Sequence, residues 1–151
     1  MDFEVRSAFT VPGTIPAKEF RKGKNVVVID SDDFDGGYSI RSTYGATDYP
    51  IDVSESGVYQ LTFRVPASTR PGIVTVKIDG KEMTSVDVGN TGNDQPWHDV
   101  LAEITLSPGI QIIEFDFGGL ITLHKVDISK ATGFNSKEKK YLKDKSQSFL
   151  K

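Results

Sequence analysis

The side chains that could do chemistry in this chain are mainly carboxylates. Hydrolysis of a glycosidic bond needs two carboxyl groups across a cleft at a fixed separation. Candidates for such a pair are Asp48, Asp94, Glu103, Glu114 and Asp116. The sequence singles out no pair among them. Glu114 and Asp116 alternate with apolar residues, which predicts the polar outer face of a strand rather than a catalytic pair. We therefore expect no catalytic residues.

The histidines also favour structural roles. His98 and His124 are the only two in the chain, and no cysteine or serine motif accompanies them. Zinc sites and nucleophilic triads need further ligands or partners of defined type and spacing. The sequence therefore predicts neither a metal pair nor a catalytic histidine.

Composition excludes several classes of partner. The chain has 151 residues, 18 basic and 21 acidic, with a net charge of -3 and no cysteine. No basic patch is present in the body of the chain, so we expect no nucleic-acid partner. No apolar run is long enough to span a membrane, so no membrane partner is expected. The first residues lack the basic and apolar regions of a signal peptide.

Alternating apolar and polar residues predict strands through most of the chain. Tyr59, Leu61, Phe63 and Val65 fall on one face of the segment Gly57–Val65, with polar residues on the other. Similar short runs of apolar residues form the segments 25–29, 73–78, 84–88, 100–106, 110–117 and 120–128. Gly and Pro turns separate them, and Asp79 and Gly80 predict a tight type I′ hairpin. An all-β fold follows: a β-sandwich of two antiparallel sheets, in which one-faced strands bury each other.

The end of the chain follows another pattern. Asn135 and Glu138 suit a helix N-cap and capping box, and apolar residues then recur among lysines at helical spacing. We predict one sandwich domain over residues 1–130, and a linker or short helix over residues 131–151.

Several segments, in order, resemble carbohydrate-binding module family 6 over about residues 10 to 130. The segments are Pro12–Phe20, Asp52–Val65, Val76–Lys81, Gln95–Val100, Leu106–Ile113 and Ile121–Ile128. The resemblance implies a non-catalytic jelly roll that holds a polysaccharide or oligosaccharide near a glycoside hydrolase in the same full-length protein. It also implies a secreted or periplasmic location.

The family's sugar site implies five ligand-binding candidates. In the family two aromatic rings clasp a sugar and an asparagine hydrogen-bonds it; rings suit the weakly apolar C–H face of a sugar. Tyr38 or Tyr44 corresponds to one ring, Asp94 falls at the other ring's position, and Thr122 at the asparagine. Trp97 matches a tryptophan that usually packs in the fold but could also stack on sugar. We expect these residues to surround a cleft between loops.

The family's structural calcium site is not expected here. By the resemblance, its carboxylate positions carry Pro16, Lys18 and His124, and calcium needs several oxygen ligands. We predict no metal and no cofactor, with the Lys18 ammonium replacing the charge of the ion.

A run of acidic residues, Asp30–Gly37, leaves two interpretations open. Carboxylates before a glycine turn suit calcium, although neither the spacing nor the flanking helices of an EF-hand are present. The alternative is a loop that faces solvent or sugar.

A second sugar site and a second function also remain open. Some family members bind glycans on an open sheet face, and the polar residues predicted to line one here are Gln60, Thr62, Arg64, Lys77, Glu103, Glu114 and Asp116. Alternatively, these residues form only the polar outer face that any antiparallel sandwich has.

The alternative function is a structural or interdomain sandwich whose sugar site has degenerated. The sequence does not distinguish xylan, glucan and agar-type ligands.

Overall fold

The computed structural model of the protein describes residues 8–131. One short 3-10 helix, Ala17–Glu19, follows the second strand. The strands are β1 Phe9–Val11, β2 Gly13–Pro16, β3 Lys22–Asp30, β4 Tyr38–Val53, β5 Gly57–Ser68, β6 Ile73–Ile78, β7 Lys81–Asp87, β8 Gly92–Leu106, β9 Gly109–Gly118, β10 Leu120–Leu123 and β11 Lys125–Lys130.

The strands form two sheets, which confirms the predicted all-β sandwich. The larger sheet has the order β1-β4-β9-β6-β7, and β3 and β10 pair with β4 as well. The smaller sheet has the order β2-β11-β5-β8. All pairs are antiparallel except β1 with β4. The long strand β4 is therefore the centre of the larger sheet.

The core lies between the sheets and follows the predicted alternation. Tyr59, Leu61 and Phe63 of β5 are fully buried, as are Ile113 and Phe115 of β9 in the opposite sheet. The rings of Phe63 and Phe115 meet edge to face, with centroids 5.4 Å apart. Each buried aromatic side chain contributes a large apolar area to this contact. The two sheets are thus held together by interdigitated apolar residues.

Two segments differ from the prediction. No strand was predicted between residues 29 and 57, but Tyr38 begins the 16-residue strand β4 there. The apolar run 120–128 was expected to be one strand, but it forms two, which belong to different sheets. The chain changes sheets at His124, whose backbone N–H donates to the Arg64 carbonyl at 2.9 Å. The polypeptide crosses between layers at this residue.

The predicted hairpin at Asp79 and Gly80 is confirmed. Both residues have positive φ, 49° and 85°, as a type I′ turn requires. The predicted C-terminal helix lies outside the described residues. Within residues 8–131, no helix has the length and apolar content needed to cross a membrane.

Candidate functional site

A cleft of about 320 Å³ opens beside β10, and we call it the β10 cleft. One wall comes from β4 and β10, and the other from the end of β5 with the turns that follow β5 and β7. Its lining consists of Arg41, Val65, Pro66, Ala67, Ser68, Arg70, Pro71, Gly72, Val88, Gly89, Leu120, Ile121 and Thr122. No carboxylate belongs to this lining.

Strand alternation positions the first wall. Ile121 and Leu123 of β10 are buried in the core, so Leu120 and Thr122 point outward. Thr122 is paired with Arg41 across the β4–β10 ladder. Paired residues of an antiparallel ladder lie on the same face. Arg41 and Thr122 therefore project on the same side of the wall.

Close backbone contacts fix the second wall. The N–H groups of Val88 and Asn90 donate to the carbonyls of Gly72 and Arg70, at 2.7 and 2.9 Å. A Cβ at Gly89 would lie 2.0 Å from the Arg70 carbonyl oxygen, so only glycine fits there. Asp87 accepts hydrogen bonds from the N–H groups of Gly72 and Gly89, which lower the pKa of its carboxyl group. The two turns form one rigid wall.

Thr122 and Tyr44 are the predicted ligand residues nearest this cleft. Thr122 is part of its lining. The backbone N–H of Tyr44 donates to Gly119, the residue before Leu120, at 3.1 Å. Its side chain is 72% exposed and does not belong to the lining. The structure thus places Thr122 in the cleft, and holds the backbone of Tyr44 next to the start of β10.

Tyr38 and Asp94 lie elsewhere. Tyr38 begins β4 opposite Asp30 of β3, and by alternation it is on the other face of the strand from Arg41. Asp94 is near the start of β8, with its carboxylate 3.6 Å from the imidazole Nε2 of His98. Neither belongs to the lining of the β10 cleft. The predicted grouping of a tyrosine, Asp94 and Thr122 is therefore not assembled around that cleft.

Trp97 is buried, but outside the sandwich core. It is 8% exposed and is not a member of the core cluster between the sheets. Its indole N–H donates to Asp32 at 3.0 Å, and its ring packs edge to face with that of His124, with centroids 5.9 Å apart. Trp97 therefore packs beneath the acidic segment that follows β3.

We call residues 31–37, between β3 and β4, the acidic loop. The Arg64 guanidinium donates two hydrogen bonds to Asp33, at 2.8 and 3.0 Å. Asp35 contacts the His124 imidazole at 3.1 Å and the Lys125 ammonium at 2.9 Å. Asp32 accepts the hydrogen bond from the Trp97 indole. Three carboxylates of the acidic loop, those of Asp32, Asp33 and Asp35, are therefore held against β8, β5 and the β10–β11 junction. The loop is docked on the sandwich.

These contacts set the charge states of the loop. Hydrogen bonding to Arg64 lowers the pKa of Asp33, although burial acts in the opposite direction. The hydrogen bond from Lys125 lowers the pKa of Asp35 in the same way. Both carboxylates are therefore ionised at neutral pH.

The residues around the acidic loop do not fit a calcium site. Asp33, Asp35 and His124 offer ligand atoms within 4.8 Å of one another. However, Arg64 and Lys125 already neutralise the two carboxylates, and calcium prefers oxygen ligands. Of the family's calcium positions, Pro16 has no side-chain oxygen and the His124 ring contacts Ser39. Lys18, at the third of these positions, pairs with Glu19 at 2.6 Å.

The predicted open-face site divides between two surfaces. Gln60, Thr62, Arg64 and Glu103 belong to strands of the smaller sheet, whereas Lys77, Glu114 and Asp116 belong to the larger one. The two outer faces point away from each other, so these residues cannot line one surface. On the larger sheet, Lys77 pairs with Asp116 at 2.8 Å. The prediction of a single polar face was wrong.

The carboxyl groups of Glu114 and Asp116 interact on that outer face. Their hydrogen bond, with burial and the charge of Asp116, raises the pKa of Glu114 to about 7. Burial acts against it, but hydrogen bonds from Glu114 and Lys77 lower the pKa of Asp116. The two carboxyl groups therefore share one proton over part of the neutral pH range.

We expect Glu114→Gln to remove a pH dependence of stability. A raised folded-state pKa gives stabilisation that is complete below about pH 4.5 and is lost as pH rises toward 7. The parent should lose on the order of 1 kcal/mol of unfolding free energy across this window relative to the variant. Urea unfolding at a series of pH values measures it, with Glu103→Gln, an exposed glutamate of β8, as control. Parallel pH profiles for parent and Glu114→Gln would contradict the shared proton.

Comparison with known proteins identifies the family. The sequence model for carbohydrate binding module family 6 matches residues 16–130, so the chain belongs to this family of non-catalytic binding modules. No curated protein matches the chain significantly.

Solved structures show the same fold. A family 6 module from Cellvibrio mixtus lichenase 5A, in complex with cellotriose, is 22% identical with a TM-score of 0.72, covering 80% of this chain and 98% of that one. A β-1,3-glucan binding module from Bacillus halodurans is 19% identical with a TM-score of 0.73, covering 82% and 99%. A Bacillus subtilis family 43 arabinoxylan arabinofuranohydrolase, in complex with cellotetraose, is 19% identical with a TM-score of 0.73, covering 83% of this chain and 28% of that one.

Proposed function

We propose that this chain binds a polysaccharide through the β10 cleft and holds an attached glycoside hydrolase near that substrate, outside the cell or in the periplasm. The observation that carries the proposal is the position of Thr122. It stands where the family resemblance places the sugar-binding asparagine, and it lines a concave site of about 320 Å³. Pockets for small ligands begin at about this size.

The lining suits a sugar chemically. Leu120, which is 58% exposed, and Pro66 offer apolar surface for the C–H face of a ring. The Thr122 hydroxyl can donate and accept a hydrogen bond. The Ser68 hydroxyl donates to the Arg70 carbonyl and accepts from its N–H, so one lone pair is left to accept from a ligand. Stacking and lateral hydrogen bonds would then satisfy different edges of the same ring. The aliphatic surface takes the place of the family's aromatic clamp.

The proposed attachment to an enzyme has support from one similar protein. The Bacillus subtilis arabinofuranohydrolase is a glycoside hydrolase in which the matching region is 28% of the chain. A binding module in such a chain raises the local concentration of substrate around the catalytic domain.

Thr122→Val is expected to weaken glycan binding about five- to tenfold, because it removes the hydroxyl group and about 1 kcal/mol of hydrogen bonding. Affinity electrophoresis against xylan, laminarin, agarose, cellulose and an acidic xylan identifies a ligand. Isothermal titration calorimetry with its oligosaccharides then compares the variant with the parent.

The control is Thr62→Val, a half-buried threonine of β5 in the other sheet. It should bind as the parent does. If Thr62→Val and Thr122→Val have equal effects, the ligand does not occupy the β10 cleft. If the parent binds no member of the panel, the interdomain sandwich is the better account of this chain.

A further inference from the structure

The two arginines of the β10 cleft, Arg41 and Arg70, differ from the other described arginines because they have no carboxylate partner. The part of the chain that the structure describes contains Arg21, Arg41, Arg64 and Arg70. Arg21 donates to Asp48 at 3.1 and 2.8 Å, and Arg64 to Asp33 at 2.8 and 3.0 Å. Within residues 8–131, neither Arg41 nor Arg70 forms an ion pair with a carboxylate. Both line the β10 cleft.

The two guanidinium groups come from different walls, each fixed by its backbone. Arg41 is held in the β4–β10 ladder opposite Thr122. The Arg70 backbone accepts a hydrogen bond from the Asn90 N–H at 2.9 Å and donates one to the Ser68 hydroxyl at 3.0 Å. The two side chains thus start from fixed points on different elements of the cleft lining.

The surrounding charge makes this pair unusual. The protein carries a net charge of -3, yet the cleft lining contains two arginines and no aspartate or glutamate. Several basic side chains elsewhere have acidic partners: Lys77 pairs with Asp116 and Lys125 with Asp35. The cleft is therefore a local positive site on an acidic protein, and such a site attracts anions.

Guanidinium geometry indicates which anion fits. Arginine offers planar, paired N–H groups that match a carboxylate in bidentate fashion, and such charge-assisted bonds are stronger than neutral ones. A neutral sugar would accept from these donors only with uncharged hydroxyl oxygens, which form weaker bonds than a carboxylate does. A uronic acid would place its carboxylate between the arginines while its ring lies against Leu120 and Pro66.

We propose that the β10 cleft selects an acidic glycan and holds the carboxylate of a uronic-acid unit between Arg41 and Arg70. This proposal rests on the proposed function, since it names the ligand class of the same cleft.

The test compares acidic oligosaccharides with their carboxyl-reduced counterparts by calorimetry. The probes are oligogalacturonate, oligoglucuronate and glucuronoxylan oligosaccharides, each paired with the same glycan after its carboxyl groups are reduced to alcohols. At least one acidic probe should bind tenfold or more tightly than its reduced form, and its affinity should fall as salt is raised. Sulfated carrageenan oligosaccharides test whether another anion serves as well.

Variants assign the effect to the two side chains. Arg41→Gln and Arg70→Gln should each weaken binding of the acidic probe at least tenfold and change binding of the reduced form little. Arg41→Lys keeps the charge without the planar donors, and should give an intermediate loss. Lys81→Gln, an exposed basic residue of the β6–β7 hairpin, makes the same change of charge outside the cleft and should bind as the parent does. Thermal unfolding of each variant confirms that it is folded.

The outcomes separate this proposal from the more general one. Equal affinity for acidic and reduced probes, or arginine variants that bind the acidic probe as the parent does, would overturn the acidic ligand and leave glycan binding standing. A preference for the sulfated probe over every uronic acid would overturn the carboxylate assignment. Absence of binding to all probes, neutral and acidic, would overturn both proposals.

Discussion

Asp33→Asn is expected to lower the free energy of unfolding by about 3 kcal/mol. Asparagine keeps the shape of the side chain but removes the charge that neutralises Arg64. The Asp33 side chain is only 2% exposed and that of Arg64 21%, so water replaces the lost partner poorly. Arg64 keeps a weaker contact with the more exposed Asp99, at 3.3 Å. Because the pair is not fully buried, the expected loss is at the low end for a buried ion pair.

The effect of Asp33→Asn should also depend on pH. Since hydrogen bonding to Arg64 lowers the pKa of Asp33, its stabilisation is present above the ordinary value of 3.8 and is lost as pH falls through the folded-state pKa. Parent and variant should therefore converge in stability at acid pH. Urea unfolding at neutral pH and at a series of pH values that descends below 3.8 measures both.

Asp30→Asn is the matched control, because Asp30 is exposed at the end of β3 and outside the acidic loop. It should change stability by less than about 0.5 kcal/mol. If Asp33→Asn is as stable as Asp30→Asn at neutral pH, the contact with Arg64 does not hold the loop.

The sandwich core could be predicted from sequence because its strands carry a clear alternation. Tyr59, Leu61 and Phe63 alternate with polar residues, and all three are buried as expected. Strand β4 lacks that pattern, since polar residues such as Ser42 and Thr47 are buried within it. They are accommodated because their hydroxyl groups have hydrogen-bond partners, and Thr47 accepts from the Tyr49 hydroxyl at 3.0 Å. Ser42, for example, donates to the Asn25 carbonyl at 2.8 Å.

The site depended on contacts between distant parts of the chain. Thr122 could be found from the family resemblance, but its partner Arg41 lies on a strand that the sequence did not predict. Arg70 enters the cleft through hydrogen bonds between two turns, which no local pattern indicates. Similarly, the carboxylates of Asp30–Gly37 were visible as a group, while their basic partners Arg64 and Lys125 are far away in sequence.

Trp97→Ala is expected to lower the free energy of unfolding by about 3 to 4 kcal/mol, as for other large-to-small changes at buried positions. The indole fills the space beneath the acidic loop, where it meets the His124 ring and donates to Asp32. Trp97→Phe keeps a ring but loses the N–H donor, so a smaller loss of about 1 kcal/mol is expected. Urea unfolding of the three proteins gives the comparison.

A double-mutant cycle tests whether Trp97 and Asp33 support the same loop. Removing the indole frees the loop that presents Asp33 to Arg64, so the two losses should not add, with a coupling of about 1 kcal/mol. Trp97→Ala combined with Glu114→Gln, on the outer face of the larger sheet, should be additive instead.

Glycan binding of the folded Trp97 variants should match that of the parent, because Trp97 does not line the β10 cleft. Lost binding with unchanged stability would instead show that Trp97 stacks on the sugar, as the sequence alone allowed.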